Sequence, residues 1–211
     1  LCLILCLITS ALATNADEKV ISLTSNEFPP YHAKSLMNQG PVTELVIAAY
    51  KSVGYRVEVT YLPWARGEHE ARKGIKYDGV MSMWRNTKRE KKYFFSDTYM
   101  SNEVGFYKRK SNRMQYSSYQ ELKKYLIGTV IAYANPPGFD QAKLNTKGVV
   151  TDALNIAKLC LNRLDLVLID KHMAEHLLST NHKACQNDVD WMLPALEIKP
   201  MHLGISKKAQ N

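Results

Sequence analysis

Hydrophobic residues in the first half of the chain follow two periods, one of two residues and one close to 3.6. In residues 41–53, Val42 and Val46 fall on one face and Gly54 follows, as expected for an amphipathic helix and its end. Residues 56–61 alternate between apolar and polar side chains, which is typical of a half-buried strand. The pattern predicts, in chain order, strand 20–24, helix 41–53, strand 56–61, helix 65–73 and strand 78–82.

The alternation of strands and helices returns in the second half of the chain. Residues 164–169 form a strongly apolar run, and residues 151–162 carry apolar side chains along one side. The pattern predicts strand 103–108, helix 119–125, strand 126–131, helix 151–162, strand 164–169, helix 171–178 and a final strand 201–206. Strands that alternate with helices favour a largely parallel sheet, so the sequence predicts two α/β halves that meet near residues 108–112.

An apolar run occupies the N-terminus. Residues 1–12 are interrupted only by Thr9 and Ser10, and the run is too short to cross a bilayer, which needs about 20 apolar residues. It ends in the sequence ALA at residues 11–13, a pattern that a signal peptidase can cut, and charged residues follow. We interpret residues 1–13 as part of a secretory signal peptide and expect an exported protein. A buried N-terminal element is the alternative.

Export also bears on the four cysteines. Cys2 and Cys6 leave with the signal peptide, whereas Cys160 and Cys185 remain in the mature chain. An oxidising compartment allows these two residues to form a disulfide. Spacing alone does not determine the geometry that a disulfide needs, so two separate buried thiols are the alternative.

The net charge of +8 at pH 7 raises the question of an acidic partner. Lys and Arg are spread along the whole chain, and the densest run, residues 85–92, alternates with Asn, Thr and Glu. A nucleic-acid interface concentrates its cations on one face or helix. The spread pattern favours a solvated surface, and we expect no nucleic-acid partner.

Three stretches, in this order, resemble a known family. Residues 78–99 contain the sequences DGVMS, TKRE and FSDTY, residues 122–128 read LKKYLIG, and residues 163–170 read RLDLVLID. Together they resemble the extracellular solute-binding proteins of family 3, the substrate-binding type of amino-acid ABC transporters. The sequence PWAR at residues 63–66 is similar to a feature of a common subgroup.

The resemblance implies the periplasmic binding protein-like II fold, an α/β fold whose two lobes are joined by two crossing strands. It places lobe 1 at residues 18–107, lobe 2 at residues 108–200 and a return strand at residues 201–211, and we expect the family's C-terminal helices to be missing. It further implies a periplasmic monomer that closes on a small amino-acid-like or carboxylate solute. Such a protein passes its ligand to an ABC permease in the inner membrane and needs no catalytic residue, cofactor or metal.

The resemblance also points to ligand-binding residues. Arg89 matches the arginine that binds the ligand's α-carboxylate, to which a guanidinium pairs bidentately; a surface arginine is the alternative. Asp170 matches the aspartate that binds the ligand's amine and ends an apolar strand, although Asp is also a favoured helix N-cap. Phe28 matches the aromatic residue that stacks on the ligand, with Tyr31 as the second choice. Further candidates are Trp64, Trp84, Arg85 and Tyr133.

Two segments depart from the family's pattern. Residues 83–85 read MWR where small hydroxyl residues are usual, and residues 132–135 read AYAN in place of the usual Gly and Thr or Ser. A bulkier cavity with extra positive charge would suit a modified or more acidic ligand than a standard amino acid. Arg66 is either a second cation of the site or part of a helix surface.

Three other functions stay open from the sequence. Residues 172–176 match the zinc-protease pattern H-x-x-E-H, which a solvated helix face also explains. Some relatives with this fold are dehydratases of cyclohexadienyl acids, which need a carboxylate acid or base in the cleft, and Glu27 is the candidate. The sensor module of a membrane signalling protein is the third alternative.

Overall fold

The computed structural model describes residues 19–210, so the signal peptide interpreted at residues 1–13 lies outside the described residues. The strands are β1 Lys19–Ser25, β2 Tyr55–Tyr61, β3 Gly79–Trp84, β4 Tyr93–Phe95, β5 Met100–Arg109, β6 Ile127–Val130, β7 Thr146–Val149, β8 Leu166–Asp170, β9 Val189–Trp191 and β10 Glu197–Ser206. The α-helices are α1 Pro41–Lys51, α2 Trp64–Ala71, α3 Thr87–Glu90, α4 Asp152–Cys160 and α5 Lys171–Thr180. Within residues 19–210, no helix is long and apolar enough to cross a membrane.

The strands form one curled sheet in the order β2-β1-β3-β10-β5-β8-β6-β7, with β4 paired to β10 and β9 to β5. In the first half, β1 pairs in parallel with β2 and β3. In the second half, β6 pairs in parallel with β7 and β8. The long strands β5 and β10 run antiparallel to each other between the two parallel groups. The predicted α/β fold, with two halves joined by two crossing strands, is confirmed.

Several short elements differ from the prediction. The sequence pattern does not predict α3, β4, β7 and β9, since three or four residues are too few to show a period. The predicted helix 119–125 is a 3-10 helix, Tyr119–Lys124. The last strand begins at Glu197 and not at residue 201, although Pro200, which has no backbone N–H to donate, lies inside it.

Strand β3 contains an irregularity that orients its side chains. Residues two apart share a face in a regular strand, yet Val80 packs in one hydrophobic cluster with Met83, and Met81 in another with Trp84. Ser82 lies between them with a φ of 65°. The pairing of β3 with β10 shifts register at the same point, as in a β-bulge. The bulge therefore turns the end of β3, including Trp84, toward the larger hydrophobic cluster.

One hydrophobic cluster extends through both halves of the molecule. It contains Leu23 of the first half, Phe106 and Met201 of the crossing strands, and Leu166 and Ile169 of the second half. A smaller cluster packs α2 against β3, through Trp64 and Val80 among others. Because the two halves share apolar contacts across the crossing strands, their inner edges lie close together.

Cys160 and Cys185 form a disulfide, which decides between the two alternatives left by the sequence. Cys160 is the last residue of α4, and Cys185 lies in the 3-10 helix Lys183–Asp188. The bond therefore ties the segment after α5 to the end of α4 in the second half.

Replacing both Cys160 and Cys185 with alanine should lower the free energy of unfolding by about 3.5 kcal/mol. The estimate is the loop-closure entropy of a cross-link between residues 25 apart. Urea unfolding of the wild type and the double variant measures it. As a control, a reductant should lower the urea midpoint of the wild type and leave that of the double variant unchanged. A double variant as stable as the wild type would contradict the expectation.

Candidate functional site

The two halves enclose a small space, the central cavity, at the crossing strands. Its volume is about 20 Å³, which is room for about one water molecule. Large aromatic side chains occupy the cleft at this place, and the bulkier cavity expected from the sequence stays a prediction. The lining residues are Asn26, Phe28, Trp64, Ser82, Trp84, Arg89, Tyr133 and Met201.

Aromatic rings form most of the wall of the central cavity. The Tyr133 ring meets Trp84 and Trp64 edge to face, with centroids 5.4 and 5.9 Å apart. Phe28 meets Trp84 at 6.3 Å in the same way and stacks on Tyr31 at 5.5 Å. Edge-to-face and offset arrangements at these distances are favourable beyond the area that they bury. The predicted residues Phe28, Trp64, Trp84 and Tyr133 thus come together at one place.

Arg89 is a buried cation in this wall, with an exposed fraction of 7%. It belongs to α3, whose N-cap Asn86 accepts a hydrogen bond from the Arg89 backbone N–H at 2.9 Å. The guanidinium donates to the carbonyl oxygens of Trp84 and Ala132 and lies 4.9 Å from the centre of the Trp64 ring. Burial lowers the pKa of Arg89 to about 10, which still leaves the group charged at neutral pH.

No carboxylate of residues 19–210 forms a salt bridge with Arg89. Its hydrogen-bond acceptors are neutral carbonyls. The charge of Glu68 favours the ionised guanidinium, but burial outweighs it, and a desolvated charge without a directly bonded counter-ion is costly. The alternative of a solvated surface arginine does not fit this burial. The site therefore contains a positive charge that a ligand anion could neutralise.

The carbonyl of Ala132 bonds the second half to the first. Ala132 follows β6 in the second half, and its oxygen accepts from Arg89 Nη2 at 3.1 Å and from Trp64 Nε1 at 2.9 Å. Its φ of 66° lies in the left-handed region, which is unfavourable for residues other than glycine. Ser82 on the opposite half also has a positive φ and lines the same cavity. Unfavourable backbone conformations of this kind cluster at functional sites.

Asp170 is a buried carboxylate whose oxygens are fully engaged by protein donors. It is the N-cap of α5, as the alternative interpretation predicted, and accepts from the Met173 N–H at 2.7 Å. The Tyr31 hydroxyl donates to both carboxylate oxygens at 3.1 and 3.2 Å, and Asn102 Nδ2 donates at 3.0 Å. Burial raises the pKa of Asp170, and these hydrogen bonds oppose the rise.

Asn102 connects Asp170 to the wall of the central cavity. It lies on crossing strand β5 with no exposed surface, and its Oδ1 accepts from Trp84 Nε1 at 3.0 Å. Trp84 lines the cavity, whereas Asp170 does not. Asp170 is connected to the cavity wall by two contacts: Asn102, which bonds to Trp84, and Tyr31, which stacks on Phe28. Sequence reasoning missed Asn102, because it precedes the predicted strand 103–108 and stands in no recognisable motif.

Asn26 and Tyr133 form a second polar contact between the halves, and Tyr133 continues it to Asp152. The Tyr133 hydroxyl accepts from Asn26 Nδ2 at 2.9 Å and donates to Asp152 Oδ2 at 2.8 Å. Asp152 is 2% exposed, and its Oδ1 has no hydrogen-bond partner among the described residues. Burial raises the pKa of Asp152 to about 7. Sequence reasoning missed Asn26 and Asp152, because neither stands in a recognisable motif.

The remaining candidates lie away from the central cavity. Arg85 lines an adjoining groove of about 710 Å³, and its Nε lies 2.6 Å from Glu90 Oε1. Arg85, the extra cation expected in the cavity, is therefore exposed and forms a salt bridge. Arg66 is exposed on α2, which fits a helix surface. Glu27 is exposed and accepts from the Lys34 backbone N–H at 3.0 Å.

The H-x-x-E-H residues lie on α5. His172 Nδ1 and Glu175 Oε2 are 3.0 Å apart on the exposed face of the helix. No group of three or more His, Cys, Asp or Glu residues within 19–210 is arranged to hold a metal ion. The pair therefore finds no third ligand in the described part of the chain.

The model of one protein family, the bacterial extracellular solute-binding proteins of family 3, matches residues 20–206. The chain belongs to this family. The predicted resemblance is thus confirmed, and the family is one of solute-binding proteins. None of the curated protein sequences compared with the chain matches it.

Solved structures show the same fold at low sequence identity. An ancestral arginine-binding protein bound to arginine is 21% identical, has a TM-score of 0.75, and the match covers 89% of this chain and 84% of that one. The arginine-bound form of a truncated ArgBP from T. maritima is 16% identical, with a TM-score of 0.75 and coverage of 90% and 89%. A histidine kinase sensor domain similar to periplasmic binding proteins is 14% identical, with a TM-score of 0.76 and coverage of 90% and 84%.

Asp152→Asn should gain stability relative to the wild type as the pH rises. In the wild type, the Asp152 carboxyl keeps its proton up to about pH 7 in the folded state but releases it near pH 3.8 in the unfolded state. The folded wild type therefore loses stability as the pH rises from 3.8 to 7. The difference in unfolding free energy between variant and wild type should therefore rise by about 3 kcal/mol from pH 4 to pH 7.

Urea unfolding at a series of pH values measures this difference. Buried His32, whose pKa is lowered to about 4, has the opposite pH dependence but is present in both proteins, so its contribution cancels. Parallel stability curves for the two proteins would show that Asp152 ionises normally in the folded state.

Proposed function

We propose that the chain captures a small amino-acid-like carboxylate in the periplasm and delivers it to an ABC permease, without changing it chemically. Lobe 1 comprises residues 18–107, lobe 2 residues 108–200, and residues 201–211 return to lobe 1. One observation carries the proposal, namely the buried guanidinium of Arg89, which has only neutral acceptors in an aromatic cavity between the two halves.

Arg89 binds the ligand's carboxylate in this proposal. A bidentate guanidinium–carboxylate pair is strong where water is excluded, and it supplies the missing counter-ion. The carboxylate takes the position that the Ala132 carbonyl occupies on Arg89 Nη2. Phe28, Trp64, Trp84 and Tyr133 then enclose the apolar part of the ligand, as aromatic residues do in small-molecule sites.

Asp170 and Tyr31 receive the ligand's ammonium. In the structure, the Tyr31 hydroxyl donates to both oxygens of Asp170. An ammonium group that enters replaces this donor and leaves the Asn102 and Met173 hydrogen bonds in place. The N-cap role and the ligand role of Asp170 are therefore compatible.

Hinge bending at the crossing strands opens and closes the cleft. Hydrogen bonds that join the halves at the cleft include those of Ala132 with Arg89 and Trp64, of Tyr133 with Asn26, and of Asp170 with Tyr31. A ligand that bonds to both halves favours the closed state by its differential affinity for that state. The central cavity of about 20 Å³ is too small for an amino acid, so these side chains must move apart when one binds.

The protein is expected to bind amino acids in a screen by thermal shift and calorimetry, and Arg89→Ala should lose that binding. Removing one partner of a buried charge pair costs about 2 kcal/mol or more, which corresponds to at least about a 30-fold loss of affinity. Arg89→Lys should recover only part of it, since lysine offers no bidentate fork.

The matched control for Arg89 is Arg66→Ala, which removes an exposed arginine from α2 and should leave affinity unchanged. Circular dichroism checks that each variant is folded. An amino acid that binds the Arg89→Ala protein as tightly as the wild type would overturn the assignment of Arg89.

A sensor role is the second candidate, favoured by the similarity to the histidine kinase sensor domain. Cells that lack the protein separate the two roles. For a transport protein, uptake of the labelled ligand should fall and should be restored by the wild type but not by Arg89→Ala. Unchanged uptake together with a lost transcriptional response to the ligand would establish the sensor role and exclude delivery to a permease.

A further inference from the structure

A second space, the side cavity, adjoins the central cavity between the two halves. Its volume is about 520 Å³, within the range of small-molecule sites. Apolar side chains from both halves form most of its wall, including Ala33, Leu62, Val150, Met173 and Leu177. Such a wall suits a flexible aliphatic chain better than a charged or strongly polar ligand.

Asp152 brings an incompletely paired carboxylate to this apolar space. The side chain lines the side cavity, is 2% exposed, and accepts from the Tyr133 hydroxyl through Oδ2 alone. Its Oδ1 is buried and has no donor among residues 19–210. A buried carboxylate oxygen without a donor is costly, and a cationic donor compensates best because it supplies both a hydrogen bond and a charge.

The wall between the two cavities is thin. Asn26 and Tyr133 line both of them, and the hydrogen bond of 2.9 Å between these residues joins the halves at this wall. When Tyr133 turns away from Asn26, the central and side cavities become continuous. A ligand whose carboxylate binds Arg89 could then extend its side chain past Tyr133 toward Asp152.

We propose that the side cavity holds the distal cationic group of a basic amino acid, which pairs with the Asp152 carboxylate once Tyr133 has turned away from it. This inference rests on the proposed function, since the α-carboxylate at Arg89 is what directs the side chain to the cavity. Glu27 and Lys34, which also line the side cavity, are exposed to water and opposite in charge, so they add little selectivity. His176 lines it as well, but an imidazole carries no negative charge that could attract a cation. Asp152 is therefore the group that selects the cation.

Isothermal titration with matched ligand pairs tests the proposal. Lysine and norleucine share their α-groups and chain length but differ in the distal ammonium, and arginine and citrulline differ in the same way. We expect the wild type to bind the cationic member of a pair about tenfold or more tightly than its neutral partner. Asp152→Asn should reduce this ratio to within about threefold while keeping the affinity for the neutral partner.

One further variant assigns the effect to Asp152. Glu27→Gln removes the exposed carboxylate of the same cavity and should change the ratio by less than about twofold, because water screens an exposed charge. Loss of the preference in Glu27→Gln, or an unchanged preference in Asp152→Asn, would overturn the assignment.

The same titrations separate failure of this inference from failure of the proposed function. Equal binding of cationic and neutral partners, both abolished by Arg89→Ala, would refute the side-cavity proposal and leave the carboxylate site standing. If the wild type binds none of these amino acids, both proposals are wrong.

Discussion

The buried charge of Arg89 is the constraint on which the candidate site depends. A guanidinium in an aromatic wall has lost most of its hydration, and within the described residues it bonds only to the carbonyls of Trp84 and Ala132. One carbonyl belongs to the first half and the other to the second, so the charge is best satisfied when the halves are together. The irregular backbone at Ser82 and Ala132 serves the same arrangement, since it places the surrounding groups around the cation.

Two buried carboxylates near the cleft differ in how completely their oxygens are hydrogen-bonded. Asp170 has a donor for each oxygen and caps a helix, so its charge is supported by the protein itself. Asp152 is equally buried but has one oxygen with no donor among residues 19–210, and its pKa rises to about 7. The difference matters for function, because a satisfied carboxylate must give up a partner to bind a cation, whereas an unsatisfied one gains a partner.

Aromatic rings occupy the place where the proposed ligand binds. Tyr133 contacts both Trp64 and Trp84 and separates the central cavity from the side cavity. Arg89 lines both the central cavity and the adjoining groove, so its guanidinium lies at the boundary between an apolar space and a wider one. Under the proposed function, a ligand enters the central cavity only when Tyr133 moves or the halves separate, which links binding to the movement of the crossing strands.

The periodicity of apolar residues and the order of three motifs were enough to predict the α/β halves, the two crossing strands, the family and most of the aromatic wall. These features depend on local pattern and on residues close in sequence, such as Arg89 and the FSDTY stretch. Only the tertiary structure decided that Cys160 bonds to Cys185, that Arg85 lies outside the central cavity, and that Asn26, Asn102 and Asp152 belong to the site. Their roles depend on burial and on partners distant along the chain, which no periodicity in a single sequence records.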